Sequence, residues 1–198
     1  MDRPGLLILA SGLGERFGGG DKLMADLHGK PVLEYVLDTC QHTEIEHQWI
    51  AIGDEQAARI ELARSYPIEI LKNTAPKLGQ SQSIKLGVRA AMKANVSSLI
   101  ITLADTPAVG AEHLLSLQAR LTVDLEAVMS EVDGRLQPPA VFAKDVLPEL
   151  KQLTGDTGAR KLFQELERTD TVSLRKHKAF DIDTIEDLNH FKSGAYLD

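Results

Sequence analysis

Residues 6–10, Leu6-Leu7-Ile8-Leu9-Ala10, form an uninterrupted apolar run that ends in a glycine-dense stretch. A short run without polar alternation marks a strand covered on both faces, and such strands belong to parallel sheets packed between helices. The rest of the chain repeats the theme. Pro31 stands where a first-turn proline would, with Val32, Leu33, Val36 and Leu37 at helical spacing behind it. Residues 49–52 read as a strand, 55–64 as a helix, 68–71 as a strand, and 80–93 as a helix that Ser81 or Ser83 could cap. Beyond these, 98–103 reads as a buried strand, 111–121 as a helix, 126–130 and 140–143 as strands, and 157–166 as a helix. A short strand at 172–174 and a helix at 185–191 close the series. The alternation predicts a single α/β domain over residues 1–198: a Rossmann-like three-layer α/β/α sandwich with a mostly parallel sheet. Ligands are then expected beyond the carboxyl ends of the strands.

Composition excludes several classes. With 198 residues, 43% apolar and 26% charged, the chain has the balance of a globular protein whose core needs no disulfide or structural metal. Cys40 is the single cysteine, so no internal bridge forms and a reducing compartment is expected. The longest apolar stretches, 6–10 and 99–103, fall far short of the ~20 residues that span a bilayer. The first residues, Met1-Asp2-Arg3-Pro4-Gly5, lack a signal core, so a cytoplasmic protein without membrane contact is expected. A net charge of −7 argues against a broad nucleic-acid surface, because phosphate backbones are held by clustered Lys and Arg.

The loop after the first strand carries the strongest functional signal. Leu9-Ala10-Ser11-Gly12-Leu13-Gly14-Glu15-Arg16-Phe17-Gly18-Gly19-Gly20-Asp21-Lys22 packs five glycines into nine residues. Glycine lets backbone N–H groups turn toward an anion without a Cβ in the way, and Arg16 and Lys22 add the charge that a triphosphate demands. Two familiar glycine motifs fail. The dinucleotide fingerprint wants a third glycine where Phe17 stands, and the Walker pattern wants Lys-Ser or Lys-Thr where Gly20-Asp21 stands.

The segment instead resembles the signature of nucleotidyltransferases with a glycosyltransferase-A-like fold, L-A-A-G-x-x-x-R-x-G followed shortly by K. Its continuation, Leu23-Met24-Ala25-Asp26-Leu27-His28-Gly29-Lys30-Pro31-Val32-Leu33, is similar to that group's K-L-L-x-x-L-x-G-x-P-[VL]-L. Within the group the chain looks most like molybdenum-cofactor cytidylyltransferase and its relatives, the MobA/MocA-like nucleotidyltransferase family, and the likeness runs from Leu6 to Leu188. It implies that the loop, with Leu9, Ala10, Ser11, Gly12 and Gly14, surrounds the nucleotide, and that Arg16 and Lys22 stabilise departing pyrophosphate.

Asp105 follows the 98–103 strand, a position suited to Mg²⁺, which takes one or two carboxylates plus phosphate oxygens; helix capping is the competing reading. The resemblance makes Asp105-Thr106-Pro107 the metal motif. Asp181 and Asp183 flank Ile182 before the last helix. Relatives place the second aspartate of a D-I-D-T-P-E-D segment on the metal, which singles out Asp183, although Asp183-Thr184-x-Glu186 also reads as a helix start. Gly79-Gln80-Ser81-Gln82-Ser83 resembles the family's G-M-S-x-S. It implies that Gln80, Ser81 and Ser83 lie beside the nucleotide, with the serines equally readable as caps. Ser11 replaces the alanine of cytidylyltransferases and the glycine of guanylyltransferases, and cytosine is favoured. Gln137-Pro138-Pro139 and Gly155-Asp156-Thr157-Gly158-Ala159-Arg160 resemble the acceptor-side segments, which assigns Pro139, Gly155, Asp156, Gly158 and Arg160 to acceptor binding.

The activity so implied is Mg²⁺-dependent transfer of CMP from CTP to the phosphate of molybdopterin, with a molybdoenzyme as a client. Guanylyl or other nucleotidyl transfer to a different phosphorylated molecule is the alternative, as is a cofactor carrier without turnover.

Overall fold

The computed structural model describes residues 3–18, 20–156 and 158–194; Gly19 of the glycine-rich loop and Thr157 of the predicted 157–166 helix lie outside them. In chain order the elements are β1 (Pro4–Leu9), β2 (Asp26–Leu27), β3 (Lys30–Pro31), α1 (Val32–Gln41), β4 (His47–Gly53), α2 (Ala57–Ala63), β5 (Glu69–Asn73) and α3 (Gln80–Ala94). They continue with β6 (Ser98–Leu103), α4 (Ala111–Arg120), β7 (Ala127–Val132), β8 (Arg135–Ala143), α5 (Leu147–Leu150), α6 (Ala159–Glu165), β9 (Thr169–Ser173) and α7 (Ile185–Ser193). Every helix and strand expected from the sequence is present, with ends shifted by a few residues.

Seven strands form one sheet in the order β5-β4-β1-β6-β8-β7-β9, while β2 and β3 make a separate short ribbon. The sheet is parallel except for β8, which runs antiparallel to both β6 and β7. Alternate side chains of each strand enter opposite cores, as the pleat requires. Leu6 and Ile8 of β1 join α1, α4 and α7 on one face, whereas Leu7 and Leu9 join α3, α5 and α6 on the other. All four side chains are at most 9% exposed, which is why β1 carries no polar alternation.

From β1 the chain runs outward through β4 to β5, then crosses back to β6 on the other side of β1. The strand order therefore reverses between β1 and β6, and the crevice beyond their carboxyl ends is where an open α/β sheet binds ligands. Leu9 and Leu103, the last residues of these strands, sit in register. They deliver the glycine-rich loop and Asp105 to the same crevice. No helix among the described residues is long and apolar enough to cross a membrane.

One expectation is corrected. Ser81 and Ser83 do not cap α3: its N-cap is Gly79, at φ 92°, and no side chain caps it. Both serines lie inside the first turn and are buried.

Candidate active site

The glycine-rich loop leaves β1 and folds back in two tight turns. Gly14 and Gly18 flank a turn at Glu15–Phe17, both with left-handed backbone (φ 65° and 76°), a region only glycine enters without strain. Phe17 anchors the turn in the core at 6% exposure, and Arg16 beside it remains largely exposed. The second turn, Lys22–Met24, is capped by Asp21, whose Oδ1 accepts the Leu23 N–H at 3.0 Å. It aims Lys22 inward.

Lys22 Nζ donates to Asp105 Oδ2 at 2.6 Å and to Asp183 Oδ1 at 2.8 Å, and Arg16 Nη2 lies 2.9 Å from Asp183 Oδ2. Two carboxylates and two cations thus meet in one cluster, with Lys22 and Asp183 161 residues apart in the chain. Burial works against the charge on Lys22, yet Asp105 and Asp183 outweigh it and hold the ammonium above its ordinary pKa. Asp105 Oδ1 is buried and has no hydrogen-bond partner, so its acceptor capacity is unused. Asp183 is brought there by Ile182, fully buried, whose N–H donates to the Asp105 carbonyl at 2.9 Å. The competing capping reading is resolved locally: Thr184 is the N-cap of α7 and Asp187 completes its capping box, leaving the Asp183 carboxylate to the cluster.

Beside the cluster is a cavity of about 150 Å³ lined by Leu9, Ser11, Gly12, Gln80, Ser83 and Asp105, among others. Its floor is a buried relay. Asn73 Nδ2 donates to Ser83 Oγ at 3.1 Å, Ser83 Oγ donates to Ser11 Oγ at 3.0 Å, and Ser11 Oγ donates to the Ala51 carbonyl at 3.0 Å. A larger cavity of about 550 Å³ adjoins it, lined by Pro138, Asp156, Gly158, Arg160 and Lys161. The two share Gln80, Leu103 and Asp156. Gly79 lines the smaller cavity and packs tightly on the Gly155 backbone, which a Cβ there would strike.

Five further sequence candidates lie just outside the cavity walls. Ala10 is buried beneath the loop at 1% exposure. Gly14 packs on the Lys22 side chain, to which an added Cβ would come within 3.5 Å. Ser81 donates its N–H to the Gly155 carbonyl at 3.2 Å, which ties both residues to the wall from behind. Pro139 accepts a hydrogen bond from Ser130 Oγ at 2.8 Å, and its neighbour Pro138 faces the larger cavity.

Arg59 escaped the sequence reading. It sits on α2 at 2% exposure and binds both oxygens of Asp21 and the carbonyls of Ala10 and Gly12. A signal was available, since Arg59 precedes Ile60 and shares the apolar face that Ile60 and Ala63 present; an arginine on such a face needs buried partners.

No group of three or more His, Cys, Asp or Glu side chains able to hold a metal exists among the described residues. Two carboxylates with a free, buried oxygen nevertheless suit a hard cation that completes its shell with phosphate oxygens and water.

Residues 6–171 match the family described as MobA-like NTP transferase domain. The chain is 29% identical over 167 residues to the purine catabolism protein PucB of Bacillus subtilis, covering 80% of this chain and 79% of that one. It is 28% identical over 178 residues to the molybdenum cofactor guanylyltransferase of Pseudomonas putida, covering 82% of each. Among solved structures, a nucleotidyl transferase from Methanothermobacter superposes with a TM-score of 0.86 at 17% identity, covering 100% of this chain and 99% of that one.

Proposed function

The chain belongs to the MobA-like NTP transferase family, and on that premise we propose that it transfers CMP from CTP to the phosphate of molybdopterin, releasing pyrophosphate. The observation that carries this reading is the meeting of Arg16, Lys22, Asp105 and Asp183 at the mouth of a cavity of about 150 Å³. Positive charge for a triphosphate, carboxylates for a cation and a slot for a base occur side by side.

The proposed reaction asks little of side chains. An acceptor phosphate is already ionised near neutral pH, so one of its oxygens attacks the α-phosphorus directly. The bond between that phosphorus and the oxygen bridging to the β-phosphate breaks, and pyrophosphate leaves with the electron pair. Arg16 and Lys22 supply the charge that stabilises the leaving group, and preorganised charge of this kind is the usual source of phosphoryl-transfer catalysis. Asp105 and Asp183 would hold Mg²⁺, the unpartnered Asp105 Oδ1 being the first free ligand. When bound there, the ion supplies neutralisation of the charge on the α-phosphate. Loop N–H groups orient the triphosphate. Arg160 and Lys161, on the larger cavity, draw the acceptor's phosphate alongside.

Cytosine is the proposed base because the smaller cavity is tight and its floor is already filled. Ser11 and Ser83 spend their hydroxyl protons within the relay, and the Gln80 amide on the cavity wall can both donate to and accept from a base edge. GMP transfer is the second reading, favoured by relatives named as molybdenum cofactor guanylyltransferases. CTP, GTP and ATP offered separately with Mg²⁺ and molybdopterin decide between them. Release of pyrophosphate from CTP alone is expected, release from GTP alone would move the base, and binding of nucleotide without release would favour a carrier.

A further inference from the structure

We propose that Arg59 is a positioning residue that shapes the glycine-rich loop for a triphosphate before the nucleotide arrives; the inference rests on the transferase reading above. Arg59 Nε donates to Asp21 Oδ2 at 2.7 Å and Nη2 to Asp21 Oδ1 at 2.6 Å, while Nη1 donates to the Ala10 carbonyl at 2.6 Å and the Gly12 carbonyl at 2.9 Å. Ala10 and Gly12 begin the loop and Asp21 ends it. One planar guanidinium therefore clasps both ends of a segment whose glycines would otherwise leave it free to take many shapes.

Each end matters in a different way. In a trans peptide the N–H of a residue points opposite the preceding carbonyl. Turning the carbonyls of Ala10 and Gly12 onto Arg59 therefore turns the N–H groups of Ser11 and Leu13 away from it, and Ser11 and Gly12 line the smaller cavity. At the other end, Asp21 Oδ1 also accepts the Leu23 N–H, so Arg59 fixes the turn that sends Lys22 Nζ to Asp105 and Asp183. Gln56, one turn earlier, adds a bond from Nε2 to the Gly12 carbonyl at 3.1 Å. Arg59 touches neither cavity floor nor carboxylate cluster; its action passes through the loop.

Arg59→Met, Arg59→Lys and Asp21→Asn test this, each judged folded by its circular dichroism melt before use. Equilibrium binding of CTP with Mg²⁺, without acceptor, is expected to weaken about 10- to 100-fold in Arg59→Met, and the lysine variant, which keeps the charge and loses the fork, is expected to recover little of it. Hydrogen exchange of residues 10–22 is expected to accelerate at least about tenfold, with exchange in α3 unchanged. In turnover, the KM for CTP is expected to rise while that for the acceptor stays within about twofold. Asp21→Asn is expected to reproduce these effects, and the double variant Arg59→Met/Asp21→Asn to add little, as coupled partners do. Folded Arg59→Met or Arg59→Lys with native loop exchange and native CTP affinity would overturn the proposal. If the unaltered protein bound no triphosphate the transferase reading would fall, and native loop exchange in the Arg59 variants would then refute the clasp independently.

Discussion

Two basic side chains are buried outside the carboxylate cluster and matched there by partners elsewhere in the chain. One is Arg59. The other is His113, 8% exposed, whose Nε2 lies 2.7 Å from Ser130 Oγ. Ser130 spends its own proton on the Pro139 carbonyl, so His113 must donate and carries its proton on Nε2. Burial holds the imidazole pKa below its ordinary value of about 6.5, against the opposing pull of Glu112. The sign follows from linkage. Below about pH 6.5 the unfolded chain binds a proton that the folded protein refuses, so stability rises with pH through that window and falls as the solution is acidified. Thermal melts between pH 7 and 5 are expected to show a loss of at most about 1.4 kcal/mol per pH unit from this group. His113→Gln, which still donates to Ser130, is expected to flatten that slope; an unchanged slope would remove His113 as its cause. At this scale the sequence was legible where charge stood next to glycine or at a strand end, as with Arg16, Lys22 and Asp105. For Arg59 it could show only that an arginine on an apolar helix face needs buried partners, not that they lie 38 or more residues away, and for Asn73, held in a relay of hydroxyls, it showed nothing.

At the scale of elements, α3 fits closely on β1 in the core. Gly87 of α3 faces Leu7 of β1, and a Cβ at position 87 would collide with the leucine's methyl groups. Leu7 is fully buried and has no room to yield. Replacing a helical glycine by alanine gains about 1 kcal/mol in helix propensity, whereas overpacking a tight core costs about 1–3 kcal/mol. The clash outweighs the gain, so Gly87→Ala is expected to lower the stability by up to about 2 kcal/mol, or the melting temperature by up to about 8 °C for a chain of this size. A melt at or above that of the unaltered protein would contradict the packing account. The alternation of apolar runs and helical spacing made the layered sheet legible, but not the reversal of β8. That reversal had a local cause in plain view. Asp133 and Gly134, both with positive φ (49° and 77°), form a two-residue hairpin turn between β7 and β8, the setting that favours Asp-Gly. The strand read as 140–143 runs from Arg135, because the ladder breaks at Pro138 and Pro139, which have no N–H to give, and resumes on either side.

Across the whole molecule, a net charge of −7 coexists with a crevice where Arg16, Lys22 and Arg160 stand beside two carboxylates and two adjoining cavities. Net negative charge disfavours polyanions at large, and under the proposed function the local cations would admit a small one at this crevice. The strand-order reversal between β1 and β6 is what assembles this place, since it sends loop and aspartate from neighbouring strands into the same opening. The crevice is proposed to perform metal-assisted nucleotidyl transfer. Pyrophosphate release should therefore be followed with purified protein, CTP and molybdopterin, with and without Mg²⁺, beside the Asp105→Asn variant. Release is expected to require Mg²⁺ and acceptor together and to fall about 10²–10³-fold in Asp105→Asn, the range seen when a preorganised electrostatic contact is removed. Release that persists without Mg²⁺, or an Asp105→Asn variant with undiminished activity, would contradict it.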